Sequence, residues 1–217
     1  EESVKTLKKN FNVKYDKNLF QNEKKIKEEI SNFEAIIVRN KTQLQKTVLD
    51  EAIKLKFVGR LGVGLDNIDK EYCNKKNIHI QIASGINADS VAEYVIGSSL
   101  HLIKNITLFN YETKKGMWPR SSFNSRELKE KIFGLIGFGA IGKKVCKIAQ
   151  SFGAKVITYD PYIDKKFENE FNIKFMPFDD VISNSDIISI HVPLNNETKN
   201  LINTNAFKKM SKKPILI

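Results

Sequence analysis

Three glycines in the middle of the chain have a spacing that can hold a phosphate group against bare backbone. Gly137, Gly139 and Gly142 follow the pattern G-x-G-x-x-G. The short apolar run over 132–136 precedes them and predicts a buried parallel strand. The amphipathic pattern that follows predicts a helix ending at Gly153. Strand, glycine turn and helix in this order are typical of a nucleotide-binding unit.

Each position in this turn has a physical reason for its residue type. Gly137 permits the tight turn, Gly139 lets a pyrophosphate approach the backbone, and Gly142 lets the helix pack closely on the strand. The unpaired N–H groups of the first helical turn, near Ala140 and Ile141, are expected to face the phosphates. These five residues are therefore predicted to bind the pyrophosphate of a dinucleotide.

The acid that follows the next predicted strand supports the same interpretation. The run over 155–159 predicts a strand, and Asp160 stands at its carboxyl end, 18 residues after Gly142. Its carboxylate can accept hydrogen bonds from both hydroxyls of an adenosine ribose and repels a 2′-phosphate, which favours NAD over NADP. A glycine-rich turn in another α/β fold explains the glycines but leaves the acid without a role.

The chain is strongly basic, with 217 residues and a formal net charge of +11, which raises nucleic acid as a partner. Only four of the basic residues are arginines: Arg39, Arg60, Arg120 and Arg126. The lysines are scattered along predicted helix faces, whereas recognition surfaces cluster their charge and favour arginine. We therefore expect a solvated lysine-rich surface and no nucleic-acid partner.

The cysteines and acids predict neither a disulfide framework nor a metal site. Cys73 and Cys146 fall inside predicted helices and are expected to be buried free thiols. Asp66, Asn67 and Asp69 resemble a metal cluster, but a turn and a helix cap at Asp69 explain them better. The sequence shows no apolar run of membrane-spanning length and no signal peptide, so a cytoplasmic protein without membrane association is expected.

Three histidines are candidates for the general base that a hydride-transfer reaction needs. His79 lies on a predicted edge strand and His101 inside a long predicted helix, so structural or surface roles are expected for both. His191 is better placed, at the carboxyl end of a predicted strand.

Alternating strand and helix patterns predict two α/β domains, 1–83 and 84–217. In the first, helices are predicted over 1–9, 22–30, 43–54 and after Asp69, and strands over 12–15, 35–38, from 57, and 78–82. In the second, a long helix over 88–115 precedes the dinucleotide unit, with strands over 174–176, 187–192 and 214–217 and helices over 179–183 and 204–210. Small residues at 97–99 would let a helix of a partner subunit approach closely.

Seven segments together resemble one family, the D-isomer-specific 2-hydroxyacid dehydrogenases. In chain order they are IIVRNKT around Arg39, VGRLGVGLDNID (58–69), NADSVAEYVIG (87–97), KGMWPR around Trp118, GLIGFGAIG (134–142), YDPY around Asp160 and IISIHVPL (187–194). The resemblance implies a Rossmann-type doubly wound parallel sheet that binds NAD, together with a smaller flavodoxin-like α/β substrate domain.

The resemblance also implies roles for individual residues. Arg39 and Asn40 match a substrate-anion position at a strand end, where a cation suits a phosphorylated acid. The backbone of Gly62, Val63 and Gly64 matches a loop that holds the substrate carboxylate, and Val63 also matches a contact to the cofactor. Asn87 matches a position beside the nicotinamide on the substrate side. Positions that line the adenosine pocket are matched by His191, Val192 and Pro193.

Some features depart from the family pattern. Asn40 replaces a common serine, Tyr94 a frequent histidine and Asn124 a common glycine. Because the chain starts at Glu1 without methionine and ends in an apolar run, both ends look cut. The resemblance implies that the catalytic arginine, glutamate and histidine, with parts of both domains, lie beyond the 217 residues.

We therefore expect an NAD-dependent dehydrogenase of D-2-hydroxy acids. The favoured substrate is 3-phosphoglycerate, in serine synthesis, and the protein is expected to form a homodimer or tetramer. The 217-residue chain alone is expected to be inactive. Two alternatives stay open: another family activity, on glyoxylate, hydroxypyruvate or D-lactate, and an NAD-sensing corepressor-like binding protein.

Overall fold

A computed structural model describes residues 2–120 and 125–217. The chain divides into two compact units, 1–84 and 85–217. Asn124, one of the departures from the family pattern, lies outside the described residues. Within the described residues, no helix combines the length and the apolar character needed to cross a membrane.

The first unit is built on a parallel sheet with the strand order β1-β2-β3. Its elements are α1 (Glu2–Lys8), a 3-10 turn (Leu19–Gln21), α2 (Glu23–Ile30), β1 (Ala35–Val38), α3 (Lys46–Leu49), β2 (Phe57–Arg60), α4 (Lys70–Lys75) and β3 (His79–Ile82). Leu44, Val48, Val58 and Cys73 share one buried cluster on the helix-covered side of the sheet. Because the strands are parallel and adjacent, the carboxyl ends of β1 and β2 meet at one edge.

The second unit holds a larger parallel sheet with the order β6-β5-β4-β7-β8. Its elements are α5 (Ala88–Ile103), α6 (Ile106–Lys114), β4 (Ile132–Ile136), α7 (Ala140–Ser151), β5 (Lys155–Tyr159), α8 (Phe167–Phe171), β6 (Lys174–Phe175), α9 (Phe178–Asn184), β7 (Ile187–Ile190), α10 (Thr204–Lys209) and β8 (Ile215–Leu216). Residues of α5 and α7 fill one buried cluster, and residues of α9 and α10 fill another. Helices therefore cover both faces of the sheet, and the predicted doubly wound α/β class is confirmed.

Several local predictions are confirmed by contacts. The helix after the glycine turn ends as predicted, since Gly153 follows it with a φ of +78°. The side chain of Asp69 accepts a hydrogen bond from the amide of Tyr72 at 2.9 Å and so caps α4. Cys73 and Cys146 are buried free thiols, and burial raises the pKa of Cys146 to about 12.

Three element predictions are wrong. Residues 12–15 form no strand, since an alternating pattern of four residues does not specify a partner to pair with. The helix over 43–54 shrinks to Lys46–Leu49, because Leu44 instead forms a parallel bridge with Ile68. The long helix over 88–115 breaks at Asn105, whose φ of 52° is left-handed, a conformation that asparagine adopts more readily than most residues.

Candidate functional site

The candidate site lies at the carboxyl ends of β4, β5 and β7. β4 pairs in parallel with β5 on one side and with β7 on the other, so the chain reverses its direction of winding at β4. The amide of Gly137 donates to the carbonyl of Tyr159 at 2.8 Å, and that of His191 donates to Ile136 at 2.7 Å. Parallel sheets bind ligands outside the strand ends at such a reversal point.

Close backbone contacts explain two of the three glycines. Gly137 has a φ of +97°, and a Cβ there would lie 2.6 Å from the carbonyl oxygen of His191. A Cβ on Gly142 would lie 2.4 Å from the carbonyl oxygen of Gly137. Both glycines are thus required by the fold itself, because backbone oxygens at such distances cannot move aside.

Gly139 differs, because a Cβ built there meets no described atom within 4 Å. It is exposed and stands at the N-cap of α7, whose first backbone bond runs from the amide of Lys143 to the carbonyl of Gly139. An α-helix leaves its first amides without partners inside the helix. The amides of Ala140 and Ile141 are therefore available to an anion at an end that carries partial positive charge.

The carboxylate of Asp160 is fixed by two backbone amides. One oxygen accepts from the amide of Phe138 at 2.8 Å, and the other accepts from the amide of Tyr162 at 3.0 Å. The ring of Phe138 is buried and packs edge-on against Phe171 and Phe175. Since each carboxylate oxygen can accept more than one hydrogen bond, the half-buried Asp160 keeps capacity for sugar hydroxyls.

Sequence reasoning missed a link between the loops that follow β5 and β7. The hydroxyl of Tyr162 donates to the carboxylate of Glu197, and this bond raises the pKa of Tyr162. The side chain of Asn195 accepts from the amides of Glu197 and Thr198, both at 2.9 Å, and holds the second loop in a turn. Nothing in the periodicity of these two loops indicates that they meet.

His191 directly follows β7 at the edge of the site, and burial disfavours protonation of its imidazole. Its Nε2 lies 3.0 Å from the hydroxyl oxygen of Ser189. Desolvation lowers the pKa of His191 from 6.5 to about 4, so the ring is neutral near pH 7. Val192 is half-buried against the cluster formed by α9 and α10, and Pro193 is exposed.

The predicted substrate residues of the first unit follow the ends of β1 and β2. Arg39 and Asn40 come directly after β1 and are exposed. The amide of Leu61 donates to the carbonyl of Val38 at 2.9 Å, which keeps the two strand ends together. The loop over 62–64 follows, with an exposed Val63. Asn87, the remaining predicted residue, is exposed in the second unit at the N-cap of α5.

The described residues contain no group of three or more histidine, cysteine or acidic side chains placed to hold a metal ion. Asp69 acts as a helix cap, and Asn67 is fully buried. The site of the second unit therefore consists of backbone amides at a helix start and one carboxylate, a donor set suited to an anion and a sugar.

Comparison with known proteins agrees with this geometry. The family described as D-isomer specific 2-hydroxyacid dehydrogenase, NAD binding domain, matches residues 96–217. The chain belongs to the D-isomer specific 2-hydroxyacid dehydrogenase family, and it carries the NAD-binding domain of that family. NAD is accordingly its cofactor.

The proteins that this chain resembles are named for different substrates. D-3-phosphoglycerate dehydrogenase of Archaeoglobus fulgidus is 35% identical over 189 residues, which cover 87% of this chain and 36% of that protein. Hydroxypyruvate reductase of Thermotoga maritima is 35% identical over 188 residues, covering 87% of this chain and 60% of that protein. The structure of D-lactate dehydrogenase from Aquifex aeolicus, complexed with NAD and lactic acid, has a TM-score of 0.78 at 31% identity and covers 85% of this chain and 55% of that one.

The different surroundings of two glycines predict opposite effects of the same substitution. Gly139→Ala places a methyl group in open space, so the unfolding free energy should change by at most about 1 kcal/mol. NADH affinity should fall at least tenfold, because the methyl group occupies the approach to the amides of α7. Gly142→Ala drives a Cβ into backbone and should cost about 1–3 kcal/mol of stability or more. Urea unfolding and NADH fluorescence titration measure both, and unchanged NADH affinity in Gly139→Ala would contradict this role.

The charge of Asp160 should set the choice between the two nicotinamide dinucleotides. Asp160→Asn keeps a side-chain acceptor for the Phe138 amide but removes the negative charge. We expect weaker NADH binding and a ratio of NADPH to NADH dissociation constants that falls at least tenfold, since a 2′-phosphate is no longer repelled. Isothermal titration with each cofactor gives the ratio. Glu170→Gln, an exposed change of the same charge on α8, serves as the control and should leave the ratio as it is.

The buried imidazole of His191 should make stability depend on pH. The unfolded chain protonates near 6.5 and the folded chain near 4, so the unfolded state binds more protons between these values. Stability should therefore fall as the pH drops, by about 2 kcal/mol between pH 7 and pH 5 from this residue. His191→Gln should lose this part of the dependence in urea unfolding, whereas the exposed His79→Gln should keep it. Equal pH slopes in His191→Gln and the unsubstituted chain would refute the assignment.

Proposed function

We propose that this chain carries the cofactor-binding part and the substrate-anion part of a dehydrogenase acting on a phosphorylated D-2-hydroxy acid, 3-phosphoglycerate, in serine biosynthesis. Family membership and NAD as cofactor underlie the proposal. Two observations support a phosphorylated substrate. Arg39 is exposed directly after β1, and several relatives are named D-3-phosphoglycerate dehydrogenase.

The residues present fit NAD without rearrangement of the fold. The amides of Ala140 and Ile141 bind the diphosphate in the open space beside Gly139, and the carboxylate of Asp160 accepts from the adenosine ribose. His191, Val192 and Pro193 line the adenosine pocket from the end of β7. Bound NAD supplies the nicotinamide that accepts the hydride.

The first unit binds the acid. The backbone amides of Gly62, Val63 and Gly64 hold the carboxylate, while Asn40 contributes a polar contact to the substrate. Arg39 binds the phosphate as a planar fork of donors. The observation that carries this assignment is an exposed Arg39 directly after β1, with no carboxylate of the described residues in ion-pair distance.

The three histidines are poor candidates for the base that takes the hydroxyl proton. The exposed ring of His79 stacks on Phe57, and a ring nitrogen of His101 lies 2.6 Å from the hydroxyl oxygen of Thr107 on α6. The pKa of His191, lowered to about 4, makes it a weak base near neutral pH. We therefore propose that none of them has this role and that the 217-residue chain binds its ligands without turning them over.

We also propose that the protein forms a homodimer or tetramer. Tyr94 and Leu102 are 70% and 51% exposed on α5, on either side of the small residues Gly97 and Ser98. A large apolar side chain exposed beside small residues is typical of a helix that packs against another subunit.

A non-phosphorylated substrate is the second candidate, because one relative is named hydroxypyruvate reductase and another D-lactate dehydrogenase. The two candidates differ in what they require of Arg39. A phosphate dianion needs a cation at the end of β1, whereas glyoxylate, hydroxypyruvate and lactate offer no phosphate to bind there.

The substitution Arg39→Ala should separate the two candidates. With NAD present, 3-phosphoglycerate should bind more tightly than D-glycerate, and Arg39→Ala should weaken only the former, by about 10- to 100-fold. Lys41→Ala removes a neighbouring exposed cation that lies over the ring of Phe20 and should change neither affinity by more than about threefold. Titration calorimetry measures all of these. Preference for D-glycerate with no effect of Arg39→Ala would favour the second candidate.

A further inference from the structure

The last residue of β2, Arg60, is a buried cation without a matching anion. It is only 7% exposed, and no carboxylate of the residues that the structure describes lies within ion-pair distance of it. Asp66, on the loop that follows, is exposed and forms no such pair. Arginine is rarely buried unless it is paired, since removing a charge from water is unfavourable. The position therefore needs an explanation beyond packing.

Arg60 is held by neutral acceptors. Its Nε donates to the side-chain oxygen of Asn67 at 3.2 Å, and its Nη1 donates to the carbonyl of Leu61 at 2.8 Å. These bonds use two of the five N–H donors of the guanidinium, and because both acceptors are neutral they do not compensate its positive charge. A fixed, uncompensated charge in a poorly solvated place produces a stronger field than one in water.

Asn67 extends the same network to the loop after β1. It is 0% exposed, and its Nδ2 donates to the carbonyls of Arg39 at 3.0 Å and Thr42 at 2.6 Å. The side chains of Arg60 and Asn67 thus connect two loops: the one after β1, whose Arg39 is proposed to bind the phosphate, and the one after β2, whose residues 62–64 are proposed to bind the carboxylate. Two buried side chains fix the distance between the two anion-binding positions.

The guanidinium lies directly behind the second loop. A Cβ on Gly62 would come within 2.4 Å of Nη1 of Arg60, and Gly62 has a φ of +152°. The guanidinium therefore lies against the backbone of this loop, on which Val63 is 45% exposed. An anion bound to the amides of this loop would be the nearest charge of opposite sign that the chain can acquire.

We propose that Arg60 is a positioning residue of the acid-binding site: it braces both loops through Asn67 and Leu61, and its charge attracts the substrate carboxylate through the loop backbone. The proposal rests on the substrate site proposed above. It assigns Arg60 to the carboxylate, which all 2-hydroxy acids share, and leaves the phosphate to Arg39. Substitution of Arg60 should therefore weaken the binding of both acids, whereas substitution of Arg39 should weaken only that of the phosphorylated one.

The test compares Arg60→Met with Arg60→Lys in the complete 217-residue chain with NAD present. Arg60→Met should weaken the binding of both 3-phosphoglycerate and D-glycerate, each at least tenfold, and leave the NADH dissociation constant within about twofold. Arg60→Lys keeps the charge and should restore both acids to within about fivefold of the unsubstituted chain. Arg126→Met, an exposed change of the same charge in the other unit, should affect neither acid.

The remaining outcomes decide against the proposal in distinguishable ways. If the unsubstituted chain binds both acids and Arg60→Met binds them equally well, or if Lys restores nothing, the role of Arg60 is refuted while the proposed function stands. If the unsubstituted chain binds neither acid, both fail. Should Arg60→Met not fold in thermal unfolding, Arg60→Gln, whose amide can still donate to Leu61, takes its place with the same expected loss.

Discussion

The bond between the Asp160 carboxylate and the Phe138 amide joins the end of β5 to the glycine turn after β4. Every other feature of the cofactor site depends on this joint. The ring of Phe138 is buried among aromatic neighbours, so the amide direction is set by the core. The carbonyl of His191 closes the turn from the β7 side so tightly that only glycine fits at 137. Three strand ends thus fix one acid and one helix start relative to each other.

The two units are proposed to bind anions by different means. In the second unit, the partial positive charge at the start of α7 comes from the backbone, and the nearby side chains only need to leave its first amides accessible to an anion. In the first unit, short loops provide no helix start of comparable length, and side chains set the geometry. Gly139 and Arg60 represent these two solutions: one provides open space and the other provides a buried charge and a brace.

Patterns with a local physical cause could be predicted from the sequence. The parallel strands, the glycine turn, the helix end at Gly153 and the cap at Asp69 follow from hydrophobic periodicity and from residues with special backbone preferences. The break at Asn105 has a local cause as well, since asparagine tolerates left-handed backbone, but the apolar periodicity continues across it and concealed the break. The prediction of a strand over 12–15 was wrong for a non-local reason: a strand needs a pairing partner, and a local pattern carries no information about one.

Contacts between distant segments could not be predicted in this way. Tyr162 and Glu197 meet only because β5 and β7 flank β4, and Asn67 reaches the carbonyls of Arg39 and Thr42 only after the first sheet has formed. Arg60 was visible in the sequence as one of four arginines, with no signal that it is buried. Burial of a charge is decided by the complete fold, so the sequence predicted the glycine turn after β4 more readily than the network that Arg60 forms with Asn67.

We propose that NAD binds on the amides that begin α7 while Asp160 holds its adenosine ribose. Titration of the ¹⁵N-labelled chain with NAD, followed by two-dimensional NMR, locates the bound cofactor residue by residue. The largest shifts are expected on the amides of Gly139, Ala140 and Ile141 and on that of Phe138, which donates to Asp160. Saturable NAD binding that leaves these four amides unmoved while shifting others would contradict it.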